Sequence, residues 1–261
     1  MATRRGREAE TAVLLEGPKV IRTVLDLGIV PLFAVREAGR TSAEIETLST
    51  RLDRMGVEVV EVEAPQMQDL ATTEAPQGIL MVASEPRSSL PAPERSPDAR
   101  CLVLDAVQDP GNVGTLVRAA AALGVDRVFA LDGTADPWGA KAVRASAGLV
   151  FGLPIHLLPW VEAISWIEEA RLPLLVAERS GEDLREWIAG GQGQAWRGWA
   201  LLLGNEGRGV RADVSAHGHA KLAIPITGGA DSLNVSSAGA ILLWSLGPGR
   251  EDRNVKPEGV R

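Results

Sequence analysis

The chain has 261 residues, 45% hydrophobic and 23% charged, with a formal net charge of -7. That length holds one large domain or two, the acid excess argues against non-specific coating of nucleic acid, and no apolar stretch approaches the roughly 18 to 20 residues that span a bilayer. Cys101 is the only cysteine, which excludes an intrachain disulfide and a cysteine metal cluster.

Residues 1–7 are basic but no apolar signal core follows them, so a cytoplasmic protein is the simplest reading. Arg4, Arg5, Arg7, Lys19 and Arg22 give a basic start that Glu8, Glu10 and Glu16 dilute, which suits an RNA contact or an ordinary solvated surface. Val20, Val24 and Leu27 have helical spacing. A strand over 30–35 follows, then a helix over 42–55 through Ile45, Leu48 and Leu52, with Ser42 as its N-cap. Residues 57–62 alternate Val with Glu, the period of a half-exposed strand; a short helix over 66–71 and a strand over 78–83 complete a small alternating α/β domain.

Residues 84–99 contain Pro86, Pro91, Pro93 and Pro97 among polar residues and read as a linker. All seven Trp lie beyond it, so the two halves have different core chemistry. The expected division is a substrate-binding domain over 1–84, a linker over 85–99, a larger domain over 100–249 and a tail over 250–261. In the larger part, strands are predicted at 102–107, 127–131, 154–157, 174–177, 200–203 and 221–224. Helices are predicted at 114–123, 140–147, 161–171 and 232–246. Continuous apolar strands alternating with helices make a mostly parallel sheet covered on both faces, and ligands bind such sheets at loops off the carboxyl ends of the strands. Cys101 opens an apolar run and reads as a buried small hydrophobe.

Three polar islands interrupt this pattern: Asn112 to Arg118, Gly204 to Gly207, and Ser232 to Ser236. Asn, Glu and Arg are costly to bury alone, so an ordered set beside a core suggests one shared site. The first follows a strand and opens a helix, where free amides favour an anion such as a phosphate; Arg118 lies four residues past Gly114 and reaches back to that end with a fork of donors. In the second, Gly204 and Gly207 permit a tight backbone, and Glu206 is the one charge, placed to accept from a ligand hydroxyl or to orient Arg118. In the third, Ser232 or Asn234 caps the last helix. Each island taken singly also reads as a cap or a solvated turn.

No G-x-G-x-x-G follows the first strand of either part and no G-x-x-x-x-G-K-[ST] is present, which disfavours an ordinary dinucleotide site or P-loop. His156, His217 and His219 are poorly spaced for a catalytic zinc. Trp196 and Trp199 flank Arg197, an arrangement that stacks on bases or simply packs.

The succession N-x-G-x-x-x-R, G-N-E-G and S-L-N-V-S, each at a strand junction, resembles the SpoU family of RNA ribose 2′-O-methyltransferases in the SPOUT superfamily, over about residues 100 to 247. Glu16-Gly17-Pro18-Lys19-Val20 and Thr72 through Gly78 resemble recurring phrases of that family's small substrate-binding domain. The resemblance implies a parallel α/β sheet whose C-terminal part threads a trefoil knot, one of the exceptions to unknotted topology. It implies S-adenosylmethionine as cofactor, contacted by Gly204, Ile224 and Leu233 with Leu203, Pro225 and Asn234 beside it. Asn112, Arg118, Glu206, Ser232 and Asn234 match the family's catalytic set. No metal and no membrane are implied. A homodimer and an RNA substrate, ribosomal by analogy with the added domain, complete the expectation. Methylation of transfer RNA, RNA binding without methylation, and another nucleotide-using enzyme such as a dehydrogenase are the alternatives the residues leave open.

Overall fold

The computed structural model describes residues 11–86, 89–92, 98–191 and 196–247. Arg4, Arg5 and Arg7, residues 87–88 and 93–97 of the Pro-rich stretch, and the expected tail over 250–261 lie outside the described residues.

In chain order the elements are β1 (Ala12–Glu16), α1 (Pro18–Asp26), β2 (Pro31–Glu37), α2 (Ala43–Arg54), β3 (Val59–Val62), α3 (Ala64–Leu70) and β4 (Ile79–Ser84). There follow β5 (Arg100–Asp105), α4 (Pro110–Ala122), β6 (Arg127–Ala130), α5 (Ala140–Ala145), a 3-10 turn (Leu149–Phe151) and β7 (Ile155–Leu157). The chain continues with α6 (Trp160–Ala170), β8 (Leu174–Asp183), α7 (Leu184–Ala189), β9 (Trp199–Gly204), α8 (Ala212–Ser215), β10 (Ala220–Ala223) and α9 (Val235–Ser245).

Packing divides the chain into two compact units that do not follow the sequence continuously. One comprises residues 1–90, 107–118 and 134–156; the other comprises 91–106, 119–133 and 157–261. The stretch carrying Asn112 and Arg118 thus belongs to the same unit as the N-terminal sheet.

That sheet is mixed, in the order β1-β4-β2-β3, with β4 antiparallel to both β1 and β2, and β2 parallel to β3. β4 is central and Ile79 to Ala83 are buried on both faces. Helix α2 shows why the local sequence is enough for its own boundaries. The Ser42 hydroxyl accepts the Ile45 N–H at 3.2 Å, Glu44 and Glu46 sit in the first turn, and Arg51 and Arg54 sit in the last, each complementing the helix dipole. Its buried face is Ile45, Leu48 and Leu52. Burying such a side chain stabilises by roughly 1.5–3 kcal/mol, which fixes the helix to the sheet.

The second sheet has six strands in the order β10-β8-β9-β5-β6-β7. The pairs β10–β8, β8–β9, β9–β5 and β5–β6 are all parallel. β9 is buried throughout, as its unbroken apolar run requires of a strand covered on both faces. Further along the sheet, Phe129 of β6 meets Trp166 of α6 edge-on at 5.4 Å, and the Arg127 guanidinium lies 4.5 Å from the same indole. Cys101 is fully buried and burial pushes its thiol up to about 12, so it is an inert hydrophobe.

Three differences from the sequence reading have physical causes. β1 was not anticipated: it is a five-residue strand whose ladder partner, β4, lies far along the chain. β8 runs on to Asp183, because Lys221 pairs Val176 while Leu222 pairs Glu182, so residues 177–181 leave the ladder and return. The last helix starts at Val235 instead of 232, because Asn234 takes the cap.

Candidate active site

The first island lies in the N-terminal compact unit. Helix α4 begins earlier than its sequence suggests: Pro110 occupies its first turn, where a missing N–H costs nothing. The Asp109 carboxylate accepts the Asn112 N–H at 3.0 Å and so caps the helix. Asp109 also holds Lys141 of α5, with Nζ at 2.6 Å. These hydrogen bonds hold its carboxyl below the usual range, first through Lys141 and then through the Asn112 amide. The expectation of free amides awaiting a phosphate is therefore corrected: the chain supplies its own anion there.

Asn112 is half-buried in the first turn of α4 and Arg118 is exposed further along. Six positions at about 100° each leave them about 120° apart around the axis, so they flank one another instead of stacking. Gly114 explains how the helix is seated. A Cβ there would lie 2.2 Å from the Ala142 carbonyl oxygen of α5, so only glycine lets the two backbones touch.

The same unit unites the two N-terminal phrases. The Gly17 N–H donates to the Ile79 carbonyl at 3.4 Å. The Glu16 carboxylate accepts from the Thr72 N–H at 3.0 Å, from the Thr72 hydroxyl at 2.6 Å and from the Thr73 hydroxyl. Burial pushes this carboxyl upward, but those three bonds and Arg144 outweigh it, and the net shift is downward.

The second and third islands lie in the other unit. Leu203 and Gly204 end β9 and are buried; Glu206 is exposed. Residues 204–210 form a pinched turn. Asn205 and Gly209 exchange backbone bonds at 3.0 and 2.9 Å, and the Asn205 side chain accepts the N–H groups of Gly207 and Arg208 at 3.0 Å each. Its amide donates to the Ala106 carbonyl at 2.9 Å. A Cβ on Gly204 would lie 2.3 Å from the Gly209 carbonyl carbon, so the strand end passes its own loop at backbone distance.

One pair holds this turn shut and was not singled out in the sequence. Asp105, fully buried at the end of β5, accepts the Arg211 N–H at 2.9 Å and its Nε at 2.8 Å. The available signal was an acid closing an apolar strand, which demands a partner. Arg144 was missed for the same reason: neither cation lies near its acid in sequence.

Gly204 and Ile224 close or follow β9 and β10, which flank β8 in a parallel arrangement, so both lie at the carboxyl edge of the sheet. Ile224 and Pro225 are half-buried, and Leu233 is 38% exposed. Ser232 is exposed in the stretch before α9. The Asn234 side chain caps α9, accepting from the Ser236 N–H at 2.8 Å and the Ser236 hydroxyl at 2.6 Å. The carboxyl edge of a parallel sheet, a glycine with no room for a side chain and half-buried backbone outside the ladder are features that suit a flat heteroaromatic cofactor held by main-chain groups.

Of the Trp196-Arg197-Trp199 stretch, Trp199 packs into the core, Trp196 is half-buried and Arg197 is exposed. Trp199 is 2% exposed and donates its indole N–H to the Leu246 carbonyl at 3.0 Å, while Trp196 lies 5.9 Å from Trp187.

Comparison with known proteins agrees with these features. Residues 99–244 match the model of the SpoU rRNA Methylase family, and residues 1–81 match the MRM3-like substrate binding domain. The chain is 31% identical over 252 residues to a 23S rRNA (guanosine(2553)-2′-O)-methyltransferase of Bacillus subtilis, covering 94% of this chain and 92% of the relative. It superposes on the crystal structure of an RNA 2′-O ribose methyltransferase with a TM-score of 0.80 at 30% identity, covering 94% of this chain and 91% of the other. An AdoMet-bound rRNA methyltransferase from Sinorhizobium meliloti gives a TM-score of 0.79 at 27% identity, covering 94% and 90%.

Proposed function

This chain belongs to the SpoU rRNA methylase family and is an RNA 2′-O-methyltransferase, and from that premise we propose the residues, substrate and assembly through which it works. The substrate is ribosomal RNA and the methyl donor is S-adenosylmethionine. The observation that carries this reading is the carboxyl edge of the six-strand sheet, where the closed 204–210 turn and the Ile224 segment lie within the stretch matched by the family.

Gly204, Ile224 and Leu233 hold the donor largely through backbone groups, with Leu203, Pro225 and Asn234 beside them. When bound, the donor supplies a methyl group on a cationic sulfur that departs neutral. The remaining difficulty is the weakly acidic 2′-hydroxyl. Arg118, with its fork of guanidinium donors, grips an RNA phosphate and stabilises the developing alkoxide. These residues would hold the ribose 2′-oxygen toward the methyl group that the bound donor supplies, and the hydroxyl proton would leave to a phosphate oxygen, to water or to Arg118. Asn112, Glu206, Ser232 and Asn234 orient the ribose.

In this reading residues 1–84 select the RNA, 85–99 link, 100–249 transfer the methyl group along a knotted C-terminal path, and 250–261 form a tail. A homodimer belongs to the same reading. Its support is α9, which exposes Ile241 at 40% and Trp244 at 58%, an apolar pair three residues apart. A cytoplasmic location belongs to the same reading; no helix among the described residues is long and apolar enough to cross a membrane.

Methyl transfer from tritiated S-adenosylmethionine to separated ribosomal and transfer RNA, with nucleoside analysis, tests the substrate. A 2′-O-methylated nucleoside in ribosomal RNA is expected; label in transfer RNA alone would overturn it. Arg118→Ala is expected to lower turnover at least about 100-fold while donor binding persists. Retained turnover would remove Arg118 from the machinery.

A further inference from the structure

We propose that Arg144 is a positioning residue, which through α5 fixes the N-terminal sheet against the helix that carries Asn112 and Arg118. All of these groups lie in one compact unit. The inference rests on the reading above, in which that sheet selects RNA and Arg118 acts on it.

Helix α5 has six residues, far fewer than the roughly 12 to 15 that an isolated helix needs. Its place is therefore dictated by what it touches. On one side it is bound to α4: Lys141 holds the Asp109 cap at 2.6 Å, and the Ala142 carbonyl abuts Gly114 with no space for a methyl group. At its end Arg144 turns to the sheet. Its Nη1 donates to the Thr72 hydroxyl oxygen at 2.6 Å and lies 3.7 Å from the nearer Glu16 oxygen.

The direction of this chain of bonds is fixed by proton count. A threonine hydroxyl has one proton, and Thr72 gives it to Glu16. Its lone pair is then available to accept from Arg144. Glu16 has a side chain only 4% exposed, against 34% for Arg144. Arg144 is thus the cation that compensates a buried carboxylate at the end of β1, and it arrives from the helix that seats α4. Three stretches distant in sequence, at 16, 72–73 and 144, meet at one bond network, and the same six-residue helix carries that constraint to the turn bearing Asn112.

Loosening this joint would leave RNA and donor bound while misplacing Asn112 and Arg118 against the RNA that the sheet holds. Displacement of reacting groups by about 1 Å costs on the order of 100-fold in rate. Arg144→Ala is therefore expected to lower kcat on ribosomal RNA about 30-fold, with Kd for RNA and for S-adenosylmethionine each within about 2-fold of wild type. Arg144→Lys, which keeps the charge and one donor, restores most of the loss. Thr72→Val, which removes the relay hydroxyl at nearly equal volume, matches Arg144→Ala, and the double variant is no worse than either. Loss of donor affinity and turnover together, without rescue by lysine, would mean a merely structural residue and overturn the proposal; so would an unchanged kcat.

Amide hydrogen exchange provides a readout that does not use activity. In Arg144→Ala, exchange should quicken in both 12–16 and 110–118 and stay unchanged in 200–204. Unchanged protection in 110–118 sinks the proposal. Should the wild type methylate no ribosomal RNA, the substrate reading fails and the exchange measurement alone decides whether Arg144 couples the two segments.

Discussion

Two buried carboxylates, one in each compact unit, end a strand and precede a residue with positive φ, yet they are held differently. Glu16 ends β1 and is followed by Gly17 at φ 93; Asp105 ends β5 and is followed by Ala106 at φ 55. Asp105 takes both bonds directly from Arg211, and so staples a turn built from neighbouring residues. Glu16 takes its bonds from two threonines and feels Arg144 through one of them, and so gathers separate stretches. A direct staple gives rigidity to one loop. A relayed one lets two elements share a constraint.

The comparison breaks first at Asp105. Asp105→Ala removes a fully buried acceptor and leaves the Arg211 N–H without it, while the exposed guanidinium turns to water; this should cost about 2 kcal/mol in urea unfolding. A loss well below 1 kcal/mol would show that the turn closes without its staple. Next comes Gly204→Ala, which forces a methyl group against backbone at 2.3 Å. It should cost about 2 kcal/mol and weaken donor binding measured by calorimetry; unaltered affinity would detach the pinched turn from the donor site.

These two positions also show what the sequence could disclose. Ser42 was legible as a cap because donor and acceptor lie three residues apart. The three islands were legible because each interrupts an apolar run. The start of α4 was not: Asp109-Pro110 fits a turn as well as a capped helix, and Lys141, whose contact decides between them, comes from another element. Arg211 lies 106 residues from Asp105, and Arg144 lies 72 from Thr72, and no periodicity couples such distant partners. Whether Trp199 stacks on bases or packs stayed open in the sequence, because exposure is a tertiary property.

A smaller effect sharpens the comparison through pH. The Glu16 carboxyl is depressed in the folded state, so its stabilisation is complete above its unfolded value near about 4.3 and is lost as pH falls through the lower folded one. Unfolding midpoints taken between about pH 6 and about pH 3 should fall less steeply for Glu16→Gln than for wild type. Identical slopes would mean that the network tolerates a protonated acid. The smallest expected change is a gain: Ala106→Gly relieves a left-handed alanine, offset by glycine's entropy, for about 0.5 kcal/mol net. A loss there would show that the alanine methyl packs usefully beside Gly133.

The cap on α4 has a consequence for how this protein meets a polyanion. With Asp109 over the helix end and Lys141 over Asp109, that terminus is nearly self-neutral before any substrate arrives. A phosphate docking at this terminus gives up few of its condensed counterions, so the first turn of α4, unlike Arg118 further along, adds little to the steepness with which ionic strength loosens the complex. Whatever salt dependence the enzyme shows must come from other cations, and titrating binding against potassium chloride counts them.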